Sequence, residues 1–167
     1  MSKLKHSVNE TLLLVGEGYD EEAFLIYLKS QIINRKSGFK VKIKNAKGKG
    51  AKHVIEWTIR QIGVAEYDTV AVLLDVDTDW SETIGKKAKA HRIKVLKSDP
   101  CFEAMLLRCL GVEPEVDTAK LKKQFSGYVN GASGKPENYA GKFNPELLKS
   151  YRGKEPTIDD LLTLLKV

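Results

Sequence analysis

Val72-Leu73-Leu74-Asp75-Val76-Asp77-Thr78-Asp79 is an apolar run that ends in carboxylates at every second position. Read as a strand, its alternate residues share a face, so Asp75, Asp77 and Asp79 project together with about 6–7 Å between successive positions. Like charges at that spacing repel by roughly 2–3 kcal/mol per neighbouring pair at an effective dielectric of about 20, so the pattern calls for a positive partner. Hard divalent cations take such oxygen ligands, and Mg²⁺ in phosphoryl-transfer sites is held by one or two carboxylates plus substrate phosphate oxygens. A calcium-binding EF-hand loop also begins D-x-D-x-D, but its sixth and twelfth positions need Gly and Glu, where Trp80 and Lys86 stand. A solvated acidic turn, capping the next helix through Asp79 or Ser81, remains the plain alternative.

A second acidic signal lies upstream. Thr11-Leu12-Leu13-Leu14-Val15 reads as a buried strand, followed by Gly16-Glu17-Gly18-Tyr19-Asp20 and a helical pattern from Glu21 to about Ile33. Glycines on both sides of Glu17 let the chain turn sharply and leave that carboxylate at the strand's carboxyl end, where open α/β sheets bind their ligands. The plain alternative is a strand-to-helix turn whose acids favour the helix dipole. No dinucleotide fingerprint is present, because Glu21 occupies the position of its third glycine, and no G-x-x-x-x-G-K-[ST] loop occurs.

Further along, Phe39–Lys44 alternates as a strand, and Val54, Ile55, Thr58, Ile59 and Ile62 recur at helical spacing. After the acidic strand at 69–74 come a helix at 81–91, a strand at 93–96 and a helix at 102–110. Strand–helix alternation of this kind predicts an α/β fold with a mostly parallel central sheet of about four strands flanked by helices. From Gly111 to Pro156 the chain is rich in glycine and reads as a helical, loop-rich appendage. Thr157-Ile158-Asp159-Asp160 has a capping-box-like spacing ahead of a final helix.

The pairing of Glu-Gly-x-x-Asp after the first strand with Asp-x-Asp-x-Asp after a later one resembles the TOPRIM domain of topoisomerases, primases and OLD-type nucleases. Ser98-Asp99-Pro100-Cys101-Phe102-Glu103 is similar to the Ser-Asn-Pro-Cys-Phe-Glu motif of RloB-like proteins, TOPRIM proteins of bacterial restriction and defence loci, with Asp99 in place of Asn. The resemblance spans about residues 11–110. It implies a TOPRIM-like catalytic core over 1–110 and a loop-rich helical C-terminal extension over 111–167 packed on the same domain. It also implies a Mg²⁺- or Mn²⁺-dependent nuclease acting on DNA or RNA in anti-phage or restriction-associated defence. Glu17 is then general acid/base or metal ligand, and Asp75 and Asp77 hold the metal. Asp79, Asp20 and Glu103 serve a second ion or its water shell, and Lys97 or Lys49 stabilises charge on the phosphate. The alternative is a nucleic-acid-binding or regulatory TOPRIM subunit of an assembly with a separately encoded ATPase, without turnover of its own.

Charge points independently to a polyanionic partner. The 167-residue chain carries 28 Lys and Arg against 22 Asp and Glu, a formal net charge of +6. Arg35, Lys36, Lys40, Lys42, Lys44, Lys47, Lys49 and Lys52 fall in one acid-free stretch, and Lys86, Lys87, Lys89, Arg92, Lys94 and Lys97 in another. Basic segments beside an acidic metal site suit nucleic acid, whose phosphates supply most of the affinity. Lys44, Lys47, Lys49 and Lys52 are the binding candidates, since the glycines among them expose backbone N–H groups to phosphate. The plain alternative is that lysines solvate strand and helix faces.

Other classes find little support. No apolar run reaches membrane-span length and Met1–Lys5 has no signal-peptide core, so a cytoplasmic protein without membrane contact is expected. Cys101 and Cys109 are too far apart for a C-x-x-C pair and read as reduced core thiols. His6, His53 and His91 show no zinc-binding spacing. Trp57 and Trp80 read as core or rim aromatics, and Trp80, next to the acidic cluster, is the better candidate for substrate contact.

Overall fold

The computed structural model describes residues 10–77, 79–129 and 132–167, so that His6, Thr78 and Gly131 lie outside the described residues. Four strands, β1 (Glu10–Gly16), β2 (Phe39–Asn45), β3 (Thr69–Asp75) and β4 (Ile93–Ser98), form one sheet in the order β2-β1-β3-β4. All three pairings are parallel, and in register Leu14 of β1 meets Ile43 on one side and Ala71 on the other, while Asp75 meets Ser98. The fold is therefore α/β with an all-parallel sheet, and its four strands are those expected from the apolar runs. β4 continues two residues past the expected end, to Ser98.

Parallel strands need crossovers, and the crossovers cover both faces. Helices α2 (Gly50–Ile62) and α3 (Glu82–Ala90) pack Val54, Ile55 and Ala88 on Leu13, Val15, Val72 and Leu74. On the other face α1 (Tyr19–Ile32) and α4 (Phe102–Cys109) pack on Leu12, Leu14, Leu73 and Leu96. Leu12 to Val15 are all buried because β1 is covered on both sides. β2 is an edge strand, and exposed Lys40 and Lys42 along it oppose pairing with another chain.

The segment after residue 110 is more interior than its glycine content suggests. It folds as α5 (Thr118–Ser126), a 3₁₀ turn (Pro136–Tyr139), α6 (Pro145–Ser150) and α7 (Pro156–Leu164). Phe125, Tyr139 and Phe143 join Phe24 of α1 and Phe102 of α4 in a ring cluster with centroids 5.5 Å apart for Phe24–Tyr139 and 6.0 Å for Phe102–Phe125. Tyr139 settles its buried hydroxyl by donating to the Ser133 carbonyl at 2.6 Å.

The expected cap of the last helix is corrected. Pro156 takes the first helical position, where the missing N–H costs nothing, and Thr157 already lies inside the first turn. Its hydroxyl donates instead to the Lys97 carbonyl on β4. Arg108 of α4 fixes the start of α7 by a two-pronged contact with Glu155, at 2.9 and 2.7 Å. Cys101, which precedes α4 rather than belonging to it, and Cys109 are free buried thiols, each pushed up to about 12 chiefly by burial. Among the described residues no helix is long and apolar enough to cross a membrane.

Candidate carboxylate centre at the strand ends

The strand order reverses direction between β1 and β3. From β1 the chain crosses to β2 on one side, and from β2 it returns over the opposite face to β3, so the two connections diverge and leave a crevice beyond the carboxyl ends. Glu17 follows β1 and Asp75 ends β3, which places both acids at that crevice. Gly16 permits the arrangement: a Cβ there would lie 2.8 Å from the Glu22 nitrogen, so only glycine lets α1 start so close to the strand end. Glu17 is held on both sides, its amide donating to the Leu73 carbonyl at 3.0 Å and its carbonyl accepting from Gly48 at 2.6 Å.

The two carboxylates are linked through the backbone. The Asp75 amide donates to Glu17 Oε1 at 2.9 Å, and Asp75 Oδ1 accepts from the Phe102 amide at the start of α4 at 2.8 Å. Burial pushes Glu17 above the ordinary carboxylate range, the Asp75 amide opposes it, and Asp77, Asp79 and Glu103 push it further up. Asp75 is raised to about 8 by burial first, then by the charges of Glu17 and Glu103. Ser98, level with Asp75 on β4, is fully buried, and its hydroxyl has no hydrogen-bond partner among the described residues.

Glu21 is the residue that the sequence reading missed. It is only 7% exposed, and burial followed by the charge of Asp75 raises it to about 8. Its signal was present, because Glu21, Phe24, Leu25 and Leu28 form an i, i+3, i+4, i+7 stripe, the buried face of α1. Asp20, one position earlier, is rotated by about 100° on the helix from Glu21. It lines a cavity of about 130 Å³ with Glu103, Lys122, Phe125, Ser126 and Ser133.

Other candidates divide. Asp77 is exposed on the loop after β3, its amide donating to the Pro100 carbonyl at 3.1 Å, and its charge reaches both Glu17 and Asp75. Glu103, in the first turn of α4, acts on Glu17, Glu21 and Asp75. The expected single face of Asp75, Asp77 and Asp79 is corrected: the strand ends at Asp75, and the chain bends before Asp79. Asp79 accepts from the amides of Ala51 at 2.6 Å and Lys52 at 3.3 Å, capping α2, where unpaired N–H groups and the helix dipole draw a carboxylate. Gly50, at φ +86°, makes room, since a Cβ there would lie 2.8 Å from Asp79 Oδ1. Ser81 meanwhile caps α3.

The lysines divide too. Lys97 shares the sheet face of its register neighbour Leu74, opposite to that of Asp75, and its ammonium lies 5.2 Å from the Trp80 ring centroid. Lys44 donates to Gln61 of α2 at 2.8 Å, a contact within the fold. In the second basic stretch Lys87 pairs with Glu56 and Lys94 with Asp160. Lys47 and Lys49 are exposed on a loop in which residues 47 to 50 all have positive φ, and that loop meets Glu17 through the Gly48 amide. His53 and His91 bond to the carbonyls of Ala46 and Lys87.

Among the described residues no three acidic, His or Cys side chains already converge as a metal site. The donor chemistry nevertheless fits a hard cation. Glu103 pushes up the proton affinity of Glu17, Glu21 and Asp75, Glu17 and Asp75 each push up Glu21, and none of these four acids is ion-paired to a basic side chain among the described residues.

The cap role of Asp79 carries a prediction. Asp79→Ala lowers stability by about 1 kcal/mol, the usual cost of losing an N-cap, which is a drop of roughly 2–4 °C for a chain of this size. A melting temperature that rises instead would place Asp79 among the repelling carboxylates. No family model, curated protein or solved structure was found to match the chain.

Proposed function

We propose that the chain is a Mg²⁺- or Mn²⁺-dependent nuclease of the TOPRIM, RloB-like kind, hydrolysing DNA or RNA phosphodiesters in defence against foreign nucleic acid. The observation that carries this reading is the meeting of Glu17, Asp75 and buried Glu21 at the point where the strand order reverses, with exposed lysines on the adjoining loop.

In this reading Asp75 and Asp77 hold the cation, with Glu103 at its edge. When bound, the ion polarises a phosphate oxygen and lowers the pKa of a water. Glu17, kept close by the Asp75 amide, accepts the proton of the attacking water. Its raised proton affinity suits a general base, which works best with a pKa nearer the working pH. Glu21, whose proton affinity is raised chiefly by burial, is the acid assigned to protonate the leaving oxygen. Lys47, Lys49 and Lys52 neutralise substrate phosphates beside the crevice. Asp20, Lys44 and Lys97 have no part in the chemical step.

Purified protein incubated with labelled DNA and RNA, with Mn²⁺ and with chelator, tests the proposal. Cleavage that needs the metal and is lost in Asp75→Asn supports it. Metal-dependent binding without cleavage favours a nucleic-acid-binding subunit that works with a separate ATPase. The lysines make a separate prediction. Replacing Lys47, Lys49 and Lys52 with Gln reduces the slope of log affinity against log salt by about 0.7–0.9 for each phosphate left without its lysine. Adding Lys44→Gln changes the slope no further, because that ammonium is bound to Gln61.

A further inference from the structure

Along the outer edge of β4 lies a groove of about 780 Å³ lined by Val76, Trp80, Lys97, Pro100, Lys154 and Thr157, among others. It adjoins the carboxylate centre: Val76 sits between Asp75 and Asp77, and the Pro100 carbonyl accepts the Asp77 amide at 3.1 Å. Across the strand order the basic 47–52 loop follows β2, the acids end β1 and β3, and this groove borders β4. The centre thus stands between them.

The lining decides what fits. Lys97, Arg108 and Lys154 are balanced by Asp99, Glu155 and Asp160, and Arg108 is engaged with Glu155. A run of phosphates gains little from such a surface, whereas a neutral heteroaromatic ring finds an indole face and polar groups for its edges. Gly85 of α3 lies against the Trp80 indole, where an added Cβ would stand 3.1 Å from the ring and would push it aside by a few tenths of an ångström. Over the ring stands Lys97, an exposed cation with its ammonium 5.2 Å from the ring centroid. A base stacked on indole is a stronger contact than an exposed lysine over it, so a base displaces the ammonium and frees it for a flanking phosphate.

We propose that this groove seats an unpaired base of the substrate strand, stacked on Trp80 and flanking the phosphate held at the carboxylates. The assignment rests on the nuclease reading for the identity of the strand, and it selects single-stranded or frayed nucleic acid over closed duplex.

The test uses the full chain in chelator, where no cleavage occurs. In Trp57→Phe, which leaves Trp80 as the single tryptophan, a thymidine tetranucleotide quenches fluorescence saturably, while a blunt hairpin duplex and tripolyphosphate do not. Anisotropy of a labelled tetranucleotide provides a second measurement in otherwise unaltered protein. Trp80→Leu weakens binding on the order of tenfold, and Trp80→Phe, which keeps a π face, stays within about threefold of the parent. Absence of quenching, quenching by tripolyphosphate alike, or equal affinity in Trp80→Leu overturns the base subsite. Stacking without any Mn²⁺-dependent cleavage keeps the groove and rejects the nuclease. Cleavage with unchanged Trp80→Leu affinity does the reverse.

Discussion

Glu17→Gln is expected to lose cleavage by about 10²–10⁴-fold, the usual contribution of a positioned general base, while its metal-free form melts at a higher temperature than the parent. The two effects have one origin. Gln keeps an oxygen to accept the Asp75 amide, so the bond that joins the ends of β1 and β3 survives. What disappears is a negative charge facing those of Asp77, Asp79 and Glu103, and with it the proton-accepting group. Single-turnover rates and thermal denaturation in chelator check both halves. A variant that cleaves within threefold of the parent removes Glu17 from the mechanism. One that loses activity together with its cooperative unfolding shows a structural role only.

The second large effect is a stability that depends on pH in the direction opposite to ordinary acid denaturation. Glu21 and Asp75 are raised to about 8 in the folded protein, against ordinary values of 4.5 and 3.8. Between those limits the folded chain holds protons that the unfolded chain has released, so stability falls as pH rises. The contribution is fully present below about pH 4 and is lost progressively through pH 8, each retained proton weighing about 1.4 kcal/mol per pH unit. The metal-free melting temperature should therefore decline between pH 5 and pH 9. Glu21→Gln, which imitates the protonated acid, should flatten the decline by raising stability at pH 9 and changing little at pH 5. Mn²⁺ should act in the same sense, stabilising at pH 8 and hardly at pH 5, because the cation needs the ionised carboxylates. A flat profile in the metal-free parent, or a decline untouched by Glu21→Gln, would contradict the burial argument.

Much of the fold could be read from local pattern. Four short apolar runs separated by helical periods lead to a parallel sheet, and the glycines around Glu17 and the carboxylate that closes the third run put two acids at adjacent strand ends. Errors arose where long-range partners decide. Period-two spacing carried Asp79 onto the face of Asp75, but an uncapped helix from elsewhere in the chain competes for it. Asp20 was named through the Glu-Gly-x-x-Asp resemblance and Glu21 was not considered, although the apolar stripe of α1 assigns Glu21 to the inside. Lys97 was named beside the acids by the family resemblance, whereas strand alternation turns it to the face opposite Asp75. Tyr139 and Phe143 could not be recognised as core, since they stand in a short 3₁₀ turn and an irregular segment, and Phe125 is paired at helical spacing with Leu121 alone on an otherwise polar helix.

Those three rings bear on how portable the centre is. Phe24, with which all belong to one cluster, lies a single helical turn beyond Glu21, and Phe102 lies one residue before Glu103. The groups that set the acids' positions are thus wedged by side chains contributed from the last third of the chain. A graft of residues 10–110 onto a foreign scaffold would carry every proposed metal-binding and proton-transferring group yet leave α1 and α4 without their outer packing. Transplanting the centre as a working unit requires a recipient that supplies an equivalent aromatic wedge, so the smallest exchangeable piece is the whole chain from β1 to α7.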